Sequence, residues 1–320
     1  MKVVLIIVVV LLGIVGLFEV GLRVLFGFGN PLLYLADAEI GYLLAPNQQV
    51  KRFGNRIQIN QYSMRSPEIT LERPAATLRV LLLGDSVANG GWWTDQVDIP
   101  SEMMTRQLRT TMSGSDWQRL KQSQVLNASA NSWGPRNELA YLKRYGHFDA
   151  QVVIVLINTD DLFATAPTAL QVGRDHSYPD RKPLLALIEL YTRYLTQSEP
   201  IPELEAIRAE GGDRVGTNLA AIEQMATLTH QNKSQLLVAM TPLLREIREP
   251  GPRDYEKKAR TRLQDFMQSQ QIPYLDFLPK FNAVEHPNAL YRDHIHLSPA
   301  GNQFVSHQLV QTLPSLIPDN

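Results

Sequence analysis

The chain opens on an unbroken apolar run. After Met1 and Lys2, Val3 to Phe18 (VVLIIVVVLLGIVGLF) carries no polar side chain, and the apolar pattern resumes at Val20-Gly21-Leu22 and Val24-Leu25-Phe26. At about 1.5 Å per residue the first stretch reaches only about 24 Å, short of a hydrocarbon core of about 30 Å. The pattern therefore predicts one helix from about residue 3 to 26. Glu19 and Arg23, four apart, share a face of that helix and are expected to pair near the outer interface. Three readings stay open: an uncleaved membrane anchor, a cleaved secretory signal, and a buried core helix. Ala36-Asp37-Ala38 mimics a cleavage site but lies far beyond the apolar run. In the first two readings the bulk of the chain is exported. Lys2 favours a cytoplasmic N-terminus, with Arg23 weakening that bias.

Pro31, Pro46, Asn47, Gly54, Asn55, Pro67 and Pro74 punctuate residues 29–77, which read as a loop-rich juxtamembrane segment packed on the main domain. Within it RIQIN (Arg56 to Asn60) alternates as a short strand. From Leu78 the pattern changes to apolar runs separated by amphipathic segments. The runs are RVLLLG (Arg79 to Gly84), QVLNAS (Gln124 to Ser129), QVVIVLIN (Gln151 to Asn158), QLLVAM (Gln235 to Met240) and IPYLDF (Ile272 to Phe277). Short continuous apolar runs suit strands buried on both faces. Helices are expected over Gln96 to Met112, Arg136 to Tyr145, Gly216 to Gln231, Asp254 to Gln271 and Pro299 to Leu313, the last with Ser298 as N-cap. This alternation predicts an α/β fold, an open parallel five-stranded sheet between two helical layers. The polar, Pro-containing stretch of about 164–215 interrupts it as an insertion, helical around Leu184 to Leu195. The expected division is thus an anchor or signal over 1–28, a juxtamembrane segment over 29–77 and a main domain over 78–315.

Composition narrows the function. Lys plus Arg number 31 against 32 Asp plus Glu, with no basic run, which excludes an electrostatic nucleic-acid footprint. The chain has no cysteine. Thiol catalysis, disulfides, zinc–thiolate sites and a lipidated N-terminal cysteine are all excluded.

In an open parallel sheet, ligands bind at the carboxyl ends of the strands. Those ends read Gly84-Asp85-Ser86, Asn127-Ala128-Ser129 and Asn158-Thr159-Asp160-Asp161. Ser86 would sit on a strand-to-helix turn, either as a plain N-cap or as an exposed nucleophile whose N–H faces an anion. Near the C-terminus, YRDHIHLSPAGNQF places Asp293 and His296 three apart, ahead of a helix. In a turn that spacing lets the carboxylate fix the imidazole tautomer while the other ring nitrogen faces Ser86. His294 with His296 could suggest a metal pair, but no third ligand accompanies them, so neither metal nor cofactor is expected. His147, His176, His230, His286 and His307 are scattered. Trp92 and Trp93 either line a cleft or pack in the core.

GDS after the first sheet strand, together with DHIHLSPAG (Asp293 to Gly301), resembles the SGNH (GDSL-type) hydrolases, and the chain resembles a membrane-anchored bacterial member. NASANSWG (Asn127 to Gly134) is similar to the second block of that family, and NTDDL (Asn158 to Leu162) to the third, usually Gly-x-Asn-Asp. The resemblance spans about residues 78–315 and implies the flavodoxin-like SGNH fold. It also implies a Ser86–His296–Asp293 triad acting through an acyl-enzyme, and an oxyanion hole from Ser86, Ser132 and the third block. Two positions depart from the pattern. Ser132 stands where the family has glycine. Asp160 stands where the asparagine donor is expected, and Asn158 where the glycine is. An ionised Asp160 would repel an oxyanion, so either Asp160 is protonated, Asn158 takes over, or the hole is weak.

The implied activity is ester hydrolysis on acyl groups of a cell-surface glycan or lipid, by a membrane-anchored protein with an extracytoplasmic catalytic domain. A polysaccharide O-acyltransferase on the same scaffold and a weakly active glycan-binding module are the alternatives. Asn127-Ala128-Ser129 and Asn232-Lys233-Ser234 match glycosylation sequons but are discounted, the first because it ends a predicted strand.

Overall fold

The structure is a computed structural model that describes residues 1–112 and 120–317. Helix α1 (Lys2–Gly21) continues through a π-helical turn, Leu22–Phe26, and stops where Gly27 adopts φ +77°. Together Lys2–Phe26 form a 25-residue helix long and apolar enough to cross a membrane. The Glu19–Arg23 pair forms, with Arg23 Nε 2.6 Å from Glu19 Oε1.

Two small antiparallel ribbons follow, β1 (Tyr34–Asp37) with β2 (Gly41–Leu44), and β3 (Gln48–Arg52) with β4 (Asn55–Ile59). Phe53 and Gly54 both have positive φ and turn the second ribbon. The ribbons bury Tyr34, Tyr42, Ile57 and Ile59 in the same core as one face of the main sheet. Arg65, wholly buried, donates to the carbonyls of Asn89, Gly91 and Thr94 and so fastens this segment to the loop after the first sheet strand.

That strand is β5 (Thr77–Gly84), followed by the single turn α2 (Ser86–Asn89). Next come α3 (Pro100–Met112), β6 (Gln122–Ser129), α4 (Pro135–Tyr145) and β7 (Val152–Asn158). The expected helix at Gln96 begins only at Pro100, because Gln96–Asp98 forms a separate 3-10 turn capped by Asp95. The predicted insertion contains α5 (Ala186–Tyr194) and a second short helix, α6 (Pro202–Arg208). The alternation resumes with α7 (Arg214–Gln231), β8 (Gln235–Thr241), α8 (Asp254–Ser269) and β9 (Tyr274–Asp276). It closes with α9 (Leu278–Asn282) and α10 (Pro299–Thr312), Ser298 capping α10 as expected.

The five strands β5 to β9 pair in parallel in the order β6-β5-β7-β8-β9. Alternate residues of each strand feed two cores. Leu81, Leu83, Val153 and Val155 meet α4, α7 and the ribbons, while Leu78, Val80, Leu82 and Ile154 meet α3 and α10. The chain reverses direction of travel across the sheet between β5, β6 and β7, which opens a crevice at their carboxyl ends. Asn127 is fully buried in β6, so its sequon offers no glycosylation acceptor in the folded chain.

Candidate active site

Gly84, Asp85 and Ser86 turn the chain from β5 into α2 at that crevice. A side chain at Gly84 would come within 2.6 Å of the Leu156 carbonyl and 2.7 Å of the Ala88 Cβ, so glycine lets α2 press against β7. Asp85 is the N-cap, its Oδ1 accepting the Val87 N–H at 2.7 Å. Ser86 is therefore the first helical residue rather than the cap, and its hydroxyl is left for other partners.

One of those partners is His296. Its Nε2 lies 3.0 Å from Ser86 Oγ, and its Nδ1 lies 2.8 Å from Asp293 Oδ2. The other Asp293 oxygen accepts the backbone N–H groups of His296 at 2.8 Å and Ile295 at 3.0 Å. Partial burial opposes ionisation of Asp293, yet these hydrogen bonds hold its carboxyl at about 2. The segment itself is pinned: the Tyr291–Leu297 bridge closes the loop and Gly301 lets α10 pass against the Leu290 carbonyl. Residues 210 positions apart in sequence thus form one hydrogen-bonded line, able to take a proton from a serine and return it to a leaving group. The Trp93 ring leans on the His296 imidazole with centroids 4.5 Å apart, and Arg292 caps the Trp93 ring at 4.9 Å. Trp92 instead meets Trp93 and Phe53, and Phe53 meets Phe26 at the end of the apolar helix.

Ser86 and His296 open into a cavity of about 480 Å³, also walled by Tyr42, Ser132, Asp160 and Arg208. This is the size of a small-molecule site. Trp92 and Trp93 do not line it. Ser132 adopts φ +60°, the left-handed region the glycine it replaces would enter freely. Its Oγ accepts the Tyr178 hydroxyl at 3.0 Å, while its N–H meets no acceptor among the described residues.

The third block differs from expectation. Both N–H groups of the Asn158 side chain are turned inward, Nδ2 donating to Asp85 Oδ2 at 2.9 Å and to Asp161 Oδ2 at 3.0 Å. Asn158 therefore holds carboxylates in place and leaves no amide hydrogen for an incoming oxyanion. Asp160 stands on the cavity wall, open to solvent on one side and with no side-chain hydrogen bond among the described residues, and partial desolvation on its other side raises its carboxyl above the ordinary value.

Behind Ser86 lies an acidic group that sequence patterning did not single out. Burial pushes the Asp85 carboxyl up to about 6, opposed by the Val87 N–H. Burial also raises Asp161 and Glu138 well above the ordinary carboxylate range, and each of them feels the charge of Asp85. Both Glu138 oxygens are buried without a hydrogen-bond partner among the described residues. Asp85 and Asp161 were visible as letters in GDS and NTDD and Glu138 only as a residue of a helix, and their convergence depends on elements far apart in sequence. His294 is 81% exposed at the cavity rim. Among the described residues, no cluster of three or more His, Asp or Glu is arranged to hold a metal ion.

Residues 82–304 match the GDSL-like lipase/acylhydrolase family. Among solved structures, similar chains include a lipase/acylhydrolase from Enterococcus faecalis, 14% identical. That likeness covers 76% of this chain and 99% of that one at a TM-score of 0.45. The acetyl xylan esterase AlAXEase is 12% identical over 74% of this chain and 100% of its own, at a TM-score of 0.47. A variant of Axe2, an acetyl xylan esterase from Geobacillus stearothermophilus, is 14% identical over 76% of this chain and 97% of its own, at 0.48. No curated protein matches the chain in sequence.

Proposed function

Because the chain belongs to the GDSL-like lipase/acylhydrolase family, we propose that it is a membrane-anchored serine esterase whose triad is Ser86, His296 and Asp293. The single observation that carries this reading is the line Ser86 Oγ–His296 Nε2, His296 Nδ1–Asp293 Oδ2, at 3.0 and 2.8 Å. His296 takes the Ser86 proton as Oγ attacks an ester carbonyl, and Asp293 steadies the imidazolium that forms. The N–H groups of Ser86 and Ser132 receive the oxyanion. The tetrahedral adduct expels the alcohol, which leaves with the proton held by His296. Water, deprotonated by the same imidazole, then releases the acyl group.

The substrate class is an acyl ester of a cell-surface glycan or lipid, small enough at its acyl end for the cavity beside Ser86. Lys2–Phe26 serves as the anchor, and the domain that follows it works outside the cytoplasm. Asp160 in the wall of the oxyanion site favours slow turnover, since one donor found in the family pattern is replaced by a carboxyl.

The test uses the full chain in detergent with a fluorophosphonate probe. Labelling that disappears in Ser86→Ala and falls sharply in His296→Ala is the expected result. Absence of labelling, or labelling unchanged in Ser86→Ala, overturns the enzymatic reading.

A further inference from the structure

Helix α5 has two faces of different character. Ala186 and Glu189 are buried, and Leu187 and Leu190 pack on the small cluster of Leu22, Phe28 and Ala186. On the opposite side Leu184, Leu185, Ile188, Tyr191 and Leu195 stand exposed, Leu184 at 88% and Leu195 at 73%. Ile188, Tyr191 and Leu195 share one face of the helix, and Leu184 stands exposed just ahead of the extended N-cap residue Leu185. Bare hydrocarbon on this scale, concentrated on one short element, calls for a cover.

The position of α5 says what the cover is. The Glu19 carboxylate of α1 accepts the N–H groups of Ala186 at 2.7 Å and Leu187 at 3.0 Å, capping α5 from another helix. Arg23 donates to the Leu184 carbonyl at 2.9 Å. At its other end Tyr194 meets Phe28, ring centroids 6.1 Å apart. So α5 runs beside the last two turns of the apolar helix, its N-terminal end level with Glu19 and its C-terminal end level with Phe28. At that same level Val20, Val24 and Leu25 of the apolar helix are exposed as well, at 57%, 70% and 68%. Glu19 and Arg23 are satisfied by each other and by α5, so the exposed apolar residues of the two elements lie at one level with the charges between them paired. Arg181 and Lys182, exposed just ahead of Leu184, carry long cationic side chains that can reach up to anionic headgroups.

We propose that residues 184–195 form a second membrane contact, lying in the headgroup and upper acyl region of the bilayer that Lys2–Phe26 crosses. This rests on reading Lys2–Phe26 as an uncleaved span. The apolar face of α5 sinks into the interface, deepest at Leu184 and shallowest at Leu195. The tyrosines 191 and 194 sit at headgroup height, as amphipathic rings do. The domain is then held by two contacts and has a fixed orientation over the membrane.

The chain contains no cysteine, so single cysteines can be labelled without background. The full chain carrying Leu184→Cys, Ile188→Cys or Tyr191→Cys is tagged with an environment-sensitive fluorophore in vesicles of phosphatidylcholine and phosphatidylglycerol. Val10→Cys reports on the span and Glu223→Cys on the aqueous side of the domain. The expected result is iodide quenching at least about threefold weaker at 184, 188 and 191 than at 223, with strong quenching by nitroxide lipids. Quenching at 184, 188 and 191 like that at 223, with Val10 in lipid, overturns the proposal and leaves the anchor standing. Shielding from iodide without quenching by nitroxide lipids means that protein covers the face, and overturns it too. A Val10 label open to iodide overturns the span itself and the proposal with it.

Discussion

Trp93 packs against His296 with ring centroids 4.5 Å apart and planes tilted by 56°. In the proposed triad the imidazole would need one orientation to hand a proton from serine to leaving group, and this ring closes off rotation on one side. Trp93→Ala is expected to lower kcat/KM on a p-nitrophenyl ester by about tenfold, with Trp93→Phe recovering most of it. Equal losses in both variants would mean that the indole acts through fold stability, not through the imidazole.

Asp293 should behave as a permanently charged partner. Its folded value of about 2 lies below the ordinary 3.8, so the stability it contributes is present above pH 3.8 and is lost as pH falls through 2. Asp293→Asn is expected to reduce kcat by about 10³–10⁴ while leaving KM within a few-fold. Steady-state kinetics at about pH 8 checks this, and a loss under about tenfold would remove Asp293 from the proton-handling line.

Asp160 offers a gain-of-function experiment. Replacing the carboxyl by the amide of the family pattern adds a donor to the oxyanion site. Asp160→Asn should raise kcat by about tenfold or more. If turnover is unchanged or falls, Asp160 does not face the developing charge.

The buried acids behind Ser86 predict a pH dependence of stability. Asp85, Glu138 and Asp161 have folded values raised above their unfolded ones, with Asp85 at about 6 against 3.8. The Asp85 contribution is therefore full below 3.8 and is lost as pH rises through 6, and those of Glu138 and Asp161 follow the same sign. The Glu138 oxygens have no hydrogen bond to lose among the described residues. Glu138→Gln should raise the urea midpoint of the full chain more at about pH 8 than at about pH 5. An equal shift at both would show that burial of its charge is not what sets the slope.

Ser132 separates backbone from side chain. Its left-handed conformation costs an L-residue about 1 kcal/mol, and Ser132→Gly keeps the N–H while removing that strain. Activity within about threefold of the parent is expected for Ser132→Gly, against a loss of about 10²-fold for the β-branched Ser132→Val. Comparable activity in both variants would take the Ser132 N–H out of the oxyanion site.

The parallel sheet was legible because strands buried on both faces leave continuous apolar runs. Val80 to Leu83 and Val152 to Ile157 are all fully buried. The approach of Ser86 to His296 was legible only through the joint resemblance of GDS and DHIHLSPAG to a known family, since GDS alone reads equally as a helix cap. The ribbons over residues 34–59 were mostly illegible, since strands of four or five residues among Pro, Gly and Asn carry too little periodicity. The role of Asn158 was illegible for another reason. Its partners Asp85 and Asp161 compete with any substrate for its amide, and one of them reaches it only through the pairing of β5 with β7.

The rings of Phe26, Phe53, Trp92, Trp93 and His296 touch one after another, with centroid separations of 5.8, 5.2, 5.9 and 4.5 Å. With Lys2–Phe26 as the proposed anchor, so short a stack would set the altitude of Ser86 above the lipid. Esters displayed close to the surface would fall inside its reach, and the same ester carried on the outer part of a long chain would not. Selection among substrates would then be a matter of where an acyl group is carried, before any pocket has read what it is.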